Sequence, residues 1–176
     1  LRIAYLLAED VYTTIRASRF ARGEFGASGS GDRIDHVEMT VAGTLGVEER
    51  GRFYEAIGAL RDMIPKHLFA LLTLVAMEPP TGFDPAAIRA KKVDVFAAMP
   101  AVLPQHAVRG QYGNGVVLGN PVKSYRQEPN VARDSNVETY VAMQLQIDNW
   151  RWSGVPFYIR TGKHLTKHNS EIAICF

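Results

Sequence analysis

The apolar positions of this chain change period along its length. In 52–80, RFYEAIGALRDMIPKHLFALLTLVAMEPP, Phe53, Ile57, Leu60, Ile64, Leu68, Leu71 and Val75 recur at steps of three and four, which draws one apolar stripe along a helix. Pro65 has no backbone N–H to give and predicts a kink there or a break into two helices; Pro79 and Pro80 end the run. Residues 4–22, with Leu6, Leu7, Val11 and Ile15, fit a second amphipathic helix. DPAAIRAKKVDVFAAM (84–99) predicts a third, with Asp84 as N-cap and Pro85 in the first helical position. A period of two takes over in 34–47 and in ETYVAMQLQIDN (138–149). RWSGVPFYIRTGK (151–163) and EIAICF (171–176) are also strand-like. Residues 100–135, rich in Gly, Pro, Asn and Arg, predict a long irregular excursion. Helices first and strands later indicate a single α+β domain over 1–176, an antiparallel sheet packed with helices.

Composition narrows the function classes. Hydrophobic residues make up 47% and charged residues 22%, enough for a packed core. The net charge of +2 and the lack of a dense Lys/Arg block favour neither nucleic acid nor a membrane surface as partner. The apolar run LFALLTLVAM (68–77) falls short of the roughly 20 residues a bilayer requires and predicts a buried helix. Cys175 is the only cysteine, so no intrachain disulfide forms, and a reducing, cytoplasmic setting is expected.

EFGASGSGDR (24–33) raises the question of a phosphate loop. A dinucleotide loop needs a strand before it and a helix opening at it. Here a charged helix tail precedes the run and an alternating stretch follows. Residues 26–31 therefore predict a Gly/Ser-rich loop or linker.

Three blocks carry more information than any period. VEMTVAGTLGVEERGRFYE with GALRDMIPKHLFALLTLVAMEPP, then RGQYG, then DNWRWSGVPFYIRTGKHL together resemble the C-terminal, substrate-side domain of the glucose-6-phosphate dehydrogenase family, in register from about residue 2 to 176. The resemblance implies a large antiparallel sheet that usually forms the dimer, of which this chain holds only the first part. It also implies NADP in the parent family, bound by a Rossmann domain that these residues do not include. No cofactor is expected for this chain alone.

Carried over by position, the family's R-I-D-H-Y-L-G-K-E signature falls on RIAYLLAED (2–10). Ala4 stands for the orienting aspartate, Tyr5 for the histidine and Glu9 for the phosphate-binding lysine. RIDH at 33–36 repeats four letters of that signature, but it leads into the following strand, so His36 is expected as a strand residue. His67 occupies the general-base position, where a near-neutral pKa suits proton abstraction. It also lies on the apolar helix stripe, and Ala4 leaves it without its orienting partner. Gly43 replaces a family glutamate and Lys66 an asparagine. Glu55 stands for an aspartate, Lys163 is retained in RTGK, and His168 holds a later basic position. Lys163, Glu55 and His168 are thus the substrate-binding candidates, with a solvated basic turn, KHLTKH, as the plain alternative for Lys163 and His168.

Framework blocks are kept while polar site positions change to Ala, Leu, Gly, Glu and Lys. Small residues in 26–31 replace a bulky family loop at constant length. This pattern points to a derivative or fragment of the domain, non-catalytic by itself and redesigned as a scaffold or assembly module. The alternative is part of an active enzyme that oxidises glucose 6-phosphate to the lactone with NADP in the pentose phosphate pathway. Glucose 6-phosphate is a partner only if the site survives. Self-association through the edge of the last strand is expected on either reading.

Overall fold

A computed structural model describes residues 34–82 and 84–176. The expected helix at 4–22, the 2–10 signature register and the 26–31 loop lie outside the described residues.

The long apolar stripe becomes helix α1 (Gly51–Met63), a π turn (Ile64–Leu68) and helix α2 (Phe69–Ala76). Pro65 has no N–H for the helical ladder, and the chain widens around it until Phe69 N–H bonds to Ile64 O, five residues back. Leu71 to Ala76 are all buried, as the apolar run at 68–77 predicts. Helix α3 (Pro85–Ala97) begins where expected, with Asp84 Oδ1 accepting from the N–H groups of Ala86 and Ala87 at 3.0 Å each.

Among the described residues, seven strands follow in chain order: β1 (His36–Ala42), β2 (Ala107–Gly110), β3 (Gly115–Val117), β4 (Asn120–Val122), β5 (Tyr140–Leu145), β6 (Phe157–Gly162) and β7 (Asn169–Cys175). The main sheet has five strands in the order β2-β5-β6-β1-β7, and β3-β4 form a separate hairpin. The fold is α+β, and the β2/β5, β5/β6 and β1/β7 junctions are antiparallel. The β1/β6 junction is parallel, which makes the sheet mixed. Strand periodicity does not encode the direction of a neighbour, so this junction could not be read from alternation. The 100–135 excursion is less irregular than its composition suggests, since β2, β3 and β4 lie within it.

One sheet face is apolar and buried: Val37, Met39 and Val41 on β1, Val141 and Leu145 on β5, and Phe157 and Ile159 on β6. It forms a single core with Leu68, Leu71, Leu72 and Met77. On the other face, Arg160 Nε donates to Thr40 Oγ1 at 2.7 Å and His36 packs edge-on against Tyr158. His36 is thus a strand residue, hydrogen-bonded to Asp35 at 2.6 Å.

The framework blocks meet in space. Arg151 clamps Glu78 through two bonds, Nε to Oε1 at 2.6 Å and Nη2 to Oε2 at 2.9 Å. Trp152 Nε1 donates to Ala76 O at 2.9 Å. The MEPP end of α2 is thereby tied to the turn before β6. Gln111 Nε2 donates to the carbonyls of Ser135 and Val137 at 3.1 and 2.8 Å.

A second break in α1 has no counterpart in the apolar period. Gly58 adopts φ 64° and ψ 178°, a backbone region essentially confined to glycine, and a Cβ there would collide with the Glu138 carboxylate. The two N–H groups that follow are capped from outside the helix. Ala59 N–H bonds Glu138 O at 2.9 Å and Leu60 N–H bonds Glu138 Oε1 at 3.0 Å. One turn earlier, Glu55 accepts from Ser135 Oγ at 2.5 Å, Tyr125 Oη at 2.7 Å and Ala132 N–H at 3.3 Å. Burial pushes this carboxyl up, but the three hydrogen bonds outweigh it and hold its pKa below the usual value.

Gly58→Ala is therefore expected to destabilise the chain by about 2–4 kcal/mol, from backbone strain plus the clash, read as a lowered thermal midpoint. Glu55→Gln is expected to lower the midpoint at pH 7. A depressed carboxyl stabilises above its ordinary pKa and loses that contribution as pH falls through the depressed one. The gap between Glu55→Gln and the unaltered chain should accordingly close in melts run below the usual carboxylate range.

Candidate functional site

The C-terminal end of β6 delivers Lys163 to the edge of the core. Its backbone N–H bonds Thr139 O at 3.0 Å, and its Nζ lies 5.9 Å from the centroid of the buried Tyr54 ring. Burial lowers the lysine pKa, and Arg50 lowers it further, against the opposing pull of Asp62 and Glu48. Arg50 Nη2 stands 3.9 Å from Asp62 Oδ2 and its guanidinium lies over Phe53.

His67 sits in the π turn, half-buried. Burial lowers its pKa and so does Lys66, while Asp62 acts the other way. Asp62 pairs with Arg50, and its charge also acts to raise the pKa values of Tyr54, His67 and Lys163. Sequence reasoning passed over Asp62.

His164 was also missed as a separate contributor. Its backbone is left-handed, at φ 50°. Its ring packs edge-on against Tyr112 at 4.6 Å, with Nδ1 3.0 Å from Thr44 O and Nε2 3.9 Å from Glu128 Oε1. Tyr112 Oη donates to that same carboxylate oxygen at 2.9 Å and accepts from Val47 N–H at 3.2 Å. This network braces the turn after Lys163 against the 43–47 loop, which two backbone bonds also hold: Leu165 N–H to Gly43 O at 2.9 Å and His164 N–H to Leu45 O at 3.1 Å.

The Asp62 charge opposes the lowering of both the Lys163 and the His67 pKa. Glu55 is committed to the clasp on Tyr125, Ser135 and Ala132. His168 is exposed in the connection between β6 and β7. Gly43 lines a small recess with Val41, Tyr54, Met63 and Lys163. Cations beside a carboxylate and a histidine can receive an anionic, hydroxylated ligand and accept a proton from it.

The described residues contain no Rossmann-type βαβ unit. The only parallel strand pair among them, β1 and β6, is not joined by a βαβ crossover with a glycine turn opening a helix. No group of three or more His, Cys, Asp or Glu side chains is placed to hold a metal ion among the described residues. No helix among them is long and apolar enough to cross a membrane.

Residues 16–176 match the family model described as "Glucose-6-phosphate dehydrogenase, C-terminal domain". The chain is 43% identical over 175 residues to the glucose-6-phosphate 1-dehydrogenase of Chlamydia muridarum, covering 99% of this chain and 34% of that protein. It is 42% identical over 179 residues to the Bacillus subtilis enzyme, covering 99% and 36%. Among solved structures, glucose-6-phosphate 1-dehydrogenase from Mycobacterium avium aligns with a TM-score of 0.82 at 43% identity, over 91% of this chain and 33% of that one. A glucose-6-phosphate dehydrogenase in complex with its substrate glucose-6-phosphate aligns with a TM-score of 0.88 at 34% identity, over 98% and 35%. The chain spans about a third of the length of these relatives. With fold, framework contacts and sequence in agreement over nearly its whole length, the chain belongs to the glucose-6-phosphate dehydrogenase family, as a part of its C-terminal domain.

Proposed function

We propose that this chain is the sugar-phosphate side of a glucose-6-phosphate dehydrogenase and that it does not turn over by itself. The observation that supports this best is the half-buried Lys163 ammonium beside Tyr54, sharing Asp62 with His67. Partial burial weakens solvent screening, so Lys163 attracts an anionic ligand more strongly than a fully solvated lysine does. Burial biases His67 towards its neutral form, which can accept a proton from a ligand hydroxyl. Hydride transfer also needs an NADP cradle, which the described residues do not form, so the oxidation step falls to parts of the family that this chain does not span.

The changed signature at 2–10 bears on the same reading. Glu9 in place of a phosphate-binding lysine weakens anion binding, so affinity for glucose 6-phosphate should be low. Redesign as a scaffold rests on the sequence pattern alone. A role as part of an active enzyme is the competing reading. Self-association is proposed through β7, which occupies one edge of the main sheet; a monomer by light scattering would count against it.

Two experiments test the main reading. With glucose 6-phosphate and NADP added, no reduced nicotinamide should appear above background in an absorbance assay, and turnover by the chain alone overturns the non-catalytic part. Lys163→Met should abolish glucose 6-phosphate binding in calorimetry while raising the thermal midpoint, because a partly desolvated ammonium is replaced by an apolar side chain of similar length. Unchanged binding removes Lys163 from the site.

A further inference from the structure

The RGQYG block opens with Arg109 on β2, an edge strand of the main sheet, and the Arg109 side chain is 67% exposed. It lines an open recess of about 400 Å³ together with Gly110, Gln111, Arg126, Asn136 and Glu138. Lys163, His67 and Asp62 take no part in this lining. No apolar side chain borders the recess, and two guanidinium groups face one carboxylate, which leaves a surplus of positive charge.

Arg126 is fixed in direction without being neutralised. Its Nε donates to Ser135 O at 2.9 Å and to Gln111 Oε1 at 3.1 Å, and its Nη2 donates to Asn136 Oδ1 at 3.4 Å. The Gln111 amide is itself held in one orientation, because its Nε2 donates to the carbonyls of Ser135 and Val137. All three acceptors on Arg126 are neutral, and no carboxylate pairs with it among the described residues. A guanidinium carries five N–H donors, so Arg126 keeps donors for a further acceptor. Arg109 is anchored loosely, with Nη1 3.9 Å from Glu138 Oε2, while the other oxygen of that carboxylate accepts from Leu60 N–H. Asn136 turns its Oδ1 to Arg126, which leaves its amide nitrogen as a third donor.

We propose that this recess binds the phosphate group of a small hydrophilic molecule, with Arg126 as the fixed fork and Arg109 as the arm that folds over it. The free groups are donors, so the ligand presents acceptors only, and its charge is negative. The donors come from β2, from the 125–127 turn and from the connection before β5. A phosphate turns its oxygens in several directions to meet them, whereas a carboxylate holds two in one plane. The volume exceeds that of a bare phosphate and falls in the usual range for small-molecule sites, roughly 300–1,000 Å³. This is a second anion site, apart from the Lys163 cation, and it does not rest on the sugar-phosphate reading.

The test is calorimetry with inorganic phosphate at low salt on the whole chain. Lys163→Met removes the other candidate cation, so phosphate binding that survives this change belongs to the recess. In that background Arg126→Gln should lower the affinity about 10-fold, the worth of one charged hydrogen bond. Arg126→Lys keeps the charge but not the fork, and should recover only part of the loss. Arg109→Gln breaks none of the bonds that hold Arg126, so it should keep the thermal midpoint and still bind more weakly, by about 3-fold. If Arg126→Gln does not fold, Arg109→Gln decides alone. No phosphate binding by the Lys163→Met chain overturns the proposal, as does an affinity unchanged by the arginine substitutions. Arg126→Lys binding as tightly as Arg126 overturns the oriented fork, and citrate binding more tightly than phosphate overturns the ligand class.

Discussion

Glu138 and Thr139 hold three parts of the molecule together through five hydrogen bonds. The backbone and carboxylate oxygens of Glu138 receive the N–H groups of Ala59 and Leu60, at the break in α1. Thr139 O receives Lys163 N–H at 3.0 Å, Thr139 Oγ1 receives Tyr112 N–H at 3.0 Å, and Thr139 N–H donates to Gly110 O at 2.8 Å. The helix that carries Asp62 is thus located relative to the strand end that carries Lys163. The joint closes only because Gly58 has no side chain. Buried backbone donors must be paired, and here the pairing is also what assembles the polar cluster.

The cluster works against stability. Lys163 is partly desolvated, His67 is biased towards its neutral form, and Tyr54 buries a hydroxyl with no partner among the described residues. An apolar residue in any of these places would be easier to fold around. The surrounding structure offsets the strain with well-formed contacts: the Arg151–Glu78 clamp, the Trp152 bond to Ala76 O, and the Tyr112–Glu128–His164 network at the Lys163 turn. Local features that disfavour folding, held in place by a well-satisfied frame, are the usual physical signature of a binding site.

Much of the frame was legible from residue order. The α1 and α2 helices, the Asp84 cap, the buried character of 68–77 and the strands at β1, β5, β6 and β7 follow from local chemistry, because period and capping act over a few residues. The stripe misses the buried face of α1, where Tyr54, Ala59 and Met63 face the core and Phe53 is exposed. The three specific blocks led to the family, which the comparisons then showed. What residue order did not announce was also physical. Gly58 sits inside a helical period, and nothing nearby in sequence announces that Glu138 will cap the break. Glu55 resembled a ligand carboxylate, yet its oxygens go to Ser135, Tyr125 and Ala132, far along the chain. His164 looked like one more basic residue in a solvated turn and instead locks a loop.

By itself the sequence determined the class of fold, the described helices and the strands outside 100–135, and the kinship, since each depends on short-range pattern or on long motifs that survive as letters. Tertiary structure decided the parallel β1/β6 junction, the Glu138 cap on the break at Gly58, and the burial of the Tyr54 hydroxyl. Those depend on which groups from distant segments share a small, partly dry space, and residue order does not record that.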